Sequence, residues 1–183
     1  METVGAIEQN EKYAEYSSDC ADYKKKIGKE LEAQCKKVIK IVTEYSLPKA
    51  GDDEAKTFYL KMIGDYYRYV AENATGDLLK EATEGALDHY EQANKCGKSL
   101  KPYNSTKLGL ALNYSVFYYE VKNDIPKACQ LAEEALESAK QNIDNMDNDD
   151  ARDALSIVEL LKENLSLWKE ENEDDDAQKI EDL

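Results

Sequence analysis

An all-α array of antiparallel helices is the fold class this sequence predicts, and three observations carry the prediction. The 183 residues include only eight Gly and three Pro, while the strong helix formers Ala, Leu, Lys and Glu are abundant. Turn signals recur at helix-length intervals, and between them apolar residues return with the helical period. The length fits one domain that buries most of its apolar surface.

The elements follow in order. Residues 1–18 are polar and weakly periodic and read as a lead-in. A helix is expected from about Asp19 to Tyr45, with Ile27, Leu31, Val38 and Ile41 as apolar positions, stopping before Pro48. After Gly51 a second helix is expected from about Asp52 to Asn73. Thr75-Gly76-Asp77 is a break from which Asp77 can cap a helix reaching about Lys98. Asn104 or Ser105 opens a fourth helix ending near Asn123. Asp124-Ile-Pro126 reads as an N-cap with proline in the first turn of a helix to about Asn142. A linker, Asn145 to Asp150, precedes a final helix at about Ala151 to Glu171. The helical domain is therefore expected over 19–171. Residues 172–183 are expected to be an acidic disordered tail, because like charges oppose collapse.

Composition excludes several functions. Net charge is −15, and residues 170–183 alone carry eight acids and one lysine. Nucleic acids and anionic membranes require clustered cations on one face, so neither is an expected partner. No apolar run approaches the ~18 residues of a membrane span and no signal peptide opens the chain, so a soluble cytoplasmic protein is expected. Cys20, Cys35, Cys96 and Cys129 form no C-x-x-C pair, which fits reduced, mostly buried thiols without zinc. His89, the single histidine, stands beside Asp88 and Glu91 but has no identifiable nucleophile, so no catalysis is expected. The Asp144 to Asp153 run has the composition of a calcium loop but not its spacing or its glycine. No metal or other cofactor is expected.

The most informative segment is Lys56 to Glu72. At 100° per residue Lys61 and Arg68 fall within about 20° of each other, while Tyr59, Ile63, Tyr66 and Val70 lie on the far side. Such a helix packs by its back and holds two cations in front. Arg68 is one of two arginines against 22 lysines, and a guanidinium suits forked recognition of an oxyanion. A solvated ladder of Lys61, Asp65 and Arg68 is the alternative. In the fourth helix Gly109, Asn113, Val116 and Glu120 share a narrow face, opposite Ala111, Tyr114, Tyr118 and Val121. In the last, Ile157, Leu160, Asn164 and Trp168 make one stripe. Asn113 and Asn164 match the donors and acceptors of an extended peptide backbone, or are satisfied core amides.

Phe58-Tyr-Leu-Lys-Met-Ile-Gly-Asp-Tyr-Tyr-Arg-Tyr69 and Leu108-Gly-Leu-Ala-Leu-Asn-Tyr-Ser-Val-Phe-Tyr-Tyr-Glu120 resemble the two signature segments of the 14-3-3 family. Leu160-Leu-Lys-Glu-Asn-Leu-Ser-Leu-Trp168 resembles its terminal helix. The resemblance covers roughly Tyr23 to Trp168. It implies a cup-shaped helical dimer that binds phosphoserine or phosphothreonine peptides, here with the last six of the family's nine helices. By this resemblance Arg68 and Tyr69 contact the phosphate and Lys61 lies beside it. Asn113 and Asn164 hold the peptide main chain, with Glu120 near them. Leu112, Val116, Ile157, Leu160, Leu167 and Trp168 form the apolar wall, where Ser156 replaces a usual leucine. Tyr23, Lys26 and Glu30 match the receiving half of the dimer interface.

The resemblance also implies two further basic residues on a third helix, whereas this chain has no arginine before Arg68 and only Lys12 before Tyr23. Weakened binding of phosphorylated client proteins is expected, and a self-dimer of the usual kind is not. The competing readings are a truncated regulatory form that pairs with complete 14-3-3 subunits as a heterodimer, and a phosphate-independent scaffold.

Overall fold

The computed structural model describes residue 12, residues 16–141 and residues 148–181, with side chains described in the last stretch over 152–172. Six α-helices and no strand occur among the described residues: α1 Ser17–Ile41, α2 Asp53–Ala71, α3 Gly76–Cys96, α4 Ser105–Glu120, α5 Ile125–Lys140 and α6 Asn148–Glu181. Most of the expected lead-in and the first half of the expected linker lie outside the described residues; the other half, from Asn148, is already helical.

Local chemistry sets most boundaries. Approaching Pro48, which has no N–H to give, α1 widens into a π-helical turn at Val42–Ser46 and then tightens into a 3-10 turn at Leu47–Lys49. The carboxylate of Asp52 accepts from the Ala55 N–H at 2.8 Å, Asn104 from Lys107 at 3.0 Å and Asp124 from Lys127 at 3.0 Å, each satisfying a first-turn donor. Asp77 is not a cap: α3 begins one residue earlier, at Gly76, whose φ of +61° suits a residue without Cβ. Asn123, with φ 50°, closes the end of α4, where Asp124 donates to the Tyr118 carbonyl at 2.9 Å.

The final helix departs from expectation. The backbone stays helical to Glu181, taking in most of the segment expected to be disordered. No Gly or Pro interrupts 151–183, and the apolar anchor through Trp168 supplies a nucleated helix to extend.

Helices α1, α2 and α3 lie side by side, α4 crosses against α2 and α3, and α5 and α6 pack beyond α4. The closest approach is α2 on α3. A Cβ at Gly64 would stand 2.9 Å from the Tyr90 ring, and one at Gly85 would stand 2.8 Å from the Tyr67 ring. Each helix thus seats its partner's tyrosine on a glycine. Tyr90 continues the contact inward, stacking on Tyr114 at 5.2 Å between centroids and packing on Phe117. Beyond α4 the core passes through Ala128, Ala132, Leu136 and Ala139 of α5 to Ala154, Val158, Leu161 and Trp168 of α6. Cys35 of α1 is buried against Val70, Ala71 and Ala82. The other three thiols are only half-buried, contrary to the expectation of mostly buried cysteines, because they lie on helix flanks; all four are free.

Candidate functional site

Four charged residues climb the front of α2 at helical spacing. Lys61 Nζ donates to Asp65 Oδ2 at 2.7 Å, and Arg68 Nη1 donates to Glu72 Oε1. These are the contacts of an i,i+4 ladder, but they are not solvated. Arg68 is 8% exposed and Asp65 7%, because α4 and the tyrosine of α3 close over them. At such burial the pairs are held by geometry and hydrogen bonding in a way surface pairs are not.

Asp65 is the centre of the cluster. Its Oδ1 accepts from the Tyr90 hydroxyl at 2.7 Å and from Asn113 Nδ2 at 2.9 Å, so donors from α2, α3 and α4 meet on one carboxylate. Donation to a carboxylate orients the Asn113 amide with its nitrogen toward Asp65, leaving its carbonyl oxygen as the free acceptor. Gly109, one turn earlier on α4, leaves room for the Lys61 stem, whose Cε would lie 3.8 Å from a Cβ there.

Arg68 reaches across to α4. Nη1 also donates to Glu120 Oε2 at 3.3 Å, and Cζ lies 4.6 Å from the centre of the Tyr69 ring. Its Nε is buried and has no partner among the described residues. Burial works against the guanidinium's charge, but Tyr90, Glu72 and Tyr69 outweigh it and the pKa is raised, so Arg68 stays cationic. Burial likewise raises Tyr69 against the lowering effect of Arg68. It raises Glu72 too, where Arg68 lowers and Glu120 raises the value again. Two cations, Lys61 and Arg68, thus face three carboxylates, Asp65, Glu72 and Glu120. This part of the site is neutralised from within.

The remaining expected residues divide between surface and core. Asn164 is half-buried on α6 and makes no side-chain hydrogen bond among the described residues, whereas Asn113 is engaged. Leu160 and Leu167 flank Asn164 at 48% and 51% exposure, and Leu112, Val116 and Ile157 are half-buried against the core shared by α4, α5 and α6. Trp168, read from the sequence as part core and part groove, is 2% exposed and stacks on Tyr119 with centroids 5.1 Å apart. The buried stripe of α6 runs Ala154, Val158, Leu161, Trp168, so Val158 and Leu161 take the buried places expected of Ile157 and Leu160, and Trp168 is common to both stripes. Ser156 is exposed and turns its hydroxyl back to the Arg152 carbonyl at 3.1 Å. Tyr23, Lys26 and Glu30 are all exposed on one side of α1.

Sequence reasoning missed Tyr90 and underused Asp65 and Glu72. The two carboxylates carried a local signal, each four residues after a cation. Tyr90 carried none, since it arrives from 25 residues away. His89 is structural: its Nδ1 lies 2.8 Å from the Gly85 carbonyl and its ring lies along Tyr67. No cluster of potential metal ligands occurs among the described residues; the Asp144 to Asp153 run lies largely outside them.

Fold and site define the class: an all-α array with a polar cluster shared by neighbouring helices and an adjacent strip of leucines. The chain belongs to the 14-3-3 family, whose sequence model, described as 14-3-3 protein, matches residues 1–169. It is 44% identical over 147 residues to 14-3-3 protein homolog 1 of Schistosoma mansoni, covering 80% of this chain and 58% of that one. Identity is 44% over 154 residues to 14-3-3 protein 2 of Entamoeba histolytica, at 84% and 65% coverage. It is 40% over 176 residues to 14-3-3-like protein 2 of Caenorhabditis elegans, at 95% and 71%. The chain thus spans about three fifths of the length of the first two relatives.

Proposed function

We propose that this chain is a non-enzymatic adaptor that binds phosphoserine or phosphothreonine segments of client proteins in the cytoplasm and so regulates their location, activity or degradation, without a cofactor. The single observation that carries the reading is the Arg68 guanidinium. It is held cationic between α2 and α4, lies against Tyr69, and stands one helical turn after Asp65, on which Lys61 and Asn113 converge. A phosphate would take the place of Glu72 and Glu120 on the guanidinium, with the Tyr69 hydroxyl as a second donor. The peptide main chain would meet the Asn113 carbonyl oxygen and the amide of Asn164, and its apolar side chains would meet Leu112, Val116, Ile157, Leu160 and Leu167. Trp168 supports that wall from behind. The internal neutralisation of Arg68 argues for modest affinity, since a ligand must displace two carboxylates that are already bonded.

Matched phosphorylated and unphosphorylated peptides, titrated by fluorescence anisotropy, test the reading. The phosphorylated peptide is expected to bind more tightly, and Arg68→Lys, which keeps the charge and loses the fork, should cost at least about tenfold. Equal affinities for the two peptides, or an unaffected Arg68→Lys, would reduce the protein to a phosphate-independent scaffold.

A second reading has its own observation. Tyr23 is 53% exposed and shares one side of α1 with Lys26 and Glu30, a surface available to a complete 14-3-3 subunit. Pairing and phosphate recognition are compatible, because α1 and the Arg68 cluster use different surfaces.

A further inference from the structure

A second site adjoins the Arg68 cluster. Between α1 and the C-terminal end of α2 lies a cleft of about 310 Å³, with Leu31, Val70 and Leu78 among its apolar residues and Lys24, Lys25 and Lys29 on its α1 side. Glu32 is the one acid lining it and is paired with Lys36 at 2.8 Å. Lys25 and Lys29 are exposed one turn apart and make no ion pair among the described residues. In a chain of net charge −15, this is a local excess of positive charge placed over an apolar floor.

Tyr69 connects the two sites. Its ring lies beside the Arg68 guanidinium and also lines the cleft. A ligand on Arg68 can therefore run over Tyr69 toward the lysines. The Arg68 cluster holds one more carboxylate than cations, whereas Lys25 and Lys29 at the cleft make no ion pair among the described residues.

We propose that this cleft is an extension subsite that takes an acidic segment with an apolar anchor, contiguous with the phosphorylated residue of the client. The inference rests on the phosphopeptide reading for its register but not for its chemistry: lysines attract the acids, and the floor takes the apolar side chain. Gly28 supplies a clean probe. A Cβ there would meet nothing within 4 Å, so Gly28→Phe sets a ring at the cleft from a helical position open at its first carbon.

The experiment compares phosphoserine peptides carrying a leucine and two glutamates on one flank with peptides carrying a leucine and two glutamines, each made for either flank, and repeats both without phosphate. On the full chain the glutamate peptide of the favoured flank should bind about tenfold more tightly. That preference should disappear in Lys25→Glu/Lys29→Glu, where the glutamine peptides keep their affinity, and in Gly28→Phe, where both peptides of that flank also lose the contribution of the leucine. Equal affinities on the unaltered chain, or a preference surviving both variants, overturns the proposal. A glutamate preference that persists without phosphate, with no gain from phosphate, upholds the subsite and removes the phosphate reading. Self-association seen by light scattering and abolished by Gly28→Phe, without any peptide preference, assigns the cleft to a second copy and also overturns it.

Discussion

Asp65 shows how one carboxylate can organise a site. Three donors from three helices converge on it, and each would be costly to leave unmade at this burial, where an orphaned polar group costs about 1–3 kcal/mol. The same logic makes Glu72 the informative titrating residue. Burial, partly offset by Arg68 and reinforced by Glu120, raises its pKa above the ordinary carboxylate value. The folded state then holds this proton more tightly than the unfolded chain does. The stability that results is fully present below the unfolded pKa and is lost as pH rises through the raised one. Glu72→Gln should therefore remove a declining component from the stability-versus-pH curve just above the carboxylate range, measured by urea unfolding at a series of pH values. A wild-type curve that rises relative to the variant in that window would contradict the assignment. The same substitution frees Arg68 from one internal acceptor, so phosphopeptide affinity should increase.

Among the helices, the pairing of α2 with α3 depends on two glycines that have nothing to do with turns. Gly64→Ala or Gly85→Ala should each destabilise the protein by about 1–3 kcal/mol despite the better helix propensity of alanine, since the added methyl falls within 3 Å of a tyrosine ring. Gly28→Ala is the control. Its methyl would enter open space, so it should stabilise by about 0.5–1 kcal/mol. Thermal denaturation of the three variants separates the cases, and a stabilising Gly64→Ala would mean that the α2–α3 contact is looser than described. At the far end, the Tyr119 hydroxyl donates to Glu171 at 2.6 Å while its ring stacks on Trp168, which clamps α6 against α4. That clamp turns Leu160 and Leu167 outward.

For the whole molecule the question is what covers its exposed apolar surface. Tyr16 just before α1, Tyr23 and Ile41 within it and Tyr45 of its π-helical extension are each at least half exposed. Surface of this kind favours association. Mixing the chain with a complete 14-3-3 relative should yield a mixed species by light scattering, and Tyr23→Ala combined with Glu30→Ala should weaken it. Persistence of the separate species on mixing would remove the pairing reading and leave the chain to act alone.

Much of this was legible in the sequence, and the reason is local. Helix caps, the proline stop and the cation spacing on α2 are encoded within a few residues, so Asp52, Asn104, Asp124, Lys61 and Arg68 could be placed from spacing alone. The signature segments added the family because their order and composition are specific. What the chain by itself could not reveal is where long-range partners arrive. Tyr90 meets Asp65 across 25 positions and Glu120 meets Arg68 across 52. Trp168 lies in the core, where its ring stacks on Tyr119. Burial and net charge at a site are sums over elements distant in sequence. Only the tertiary structure therefore decided that the arginine is already answered by two glutamates, and that Lys25 and Lys29 stand at the cleft beside it.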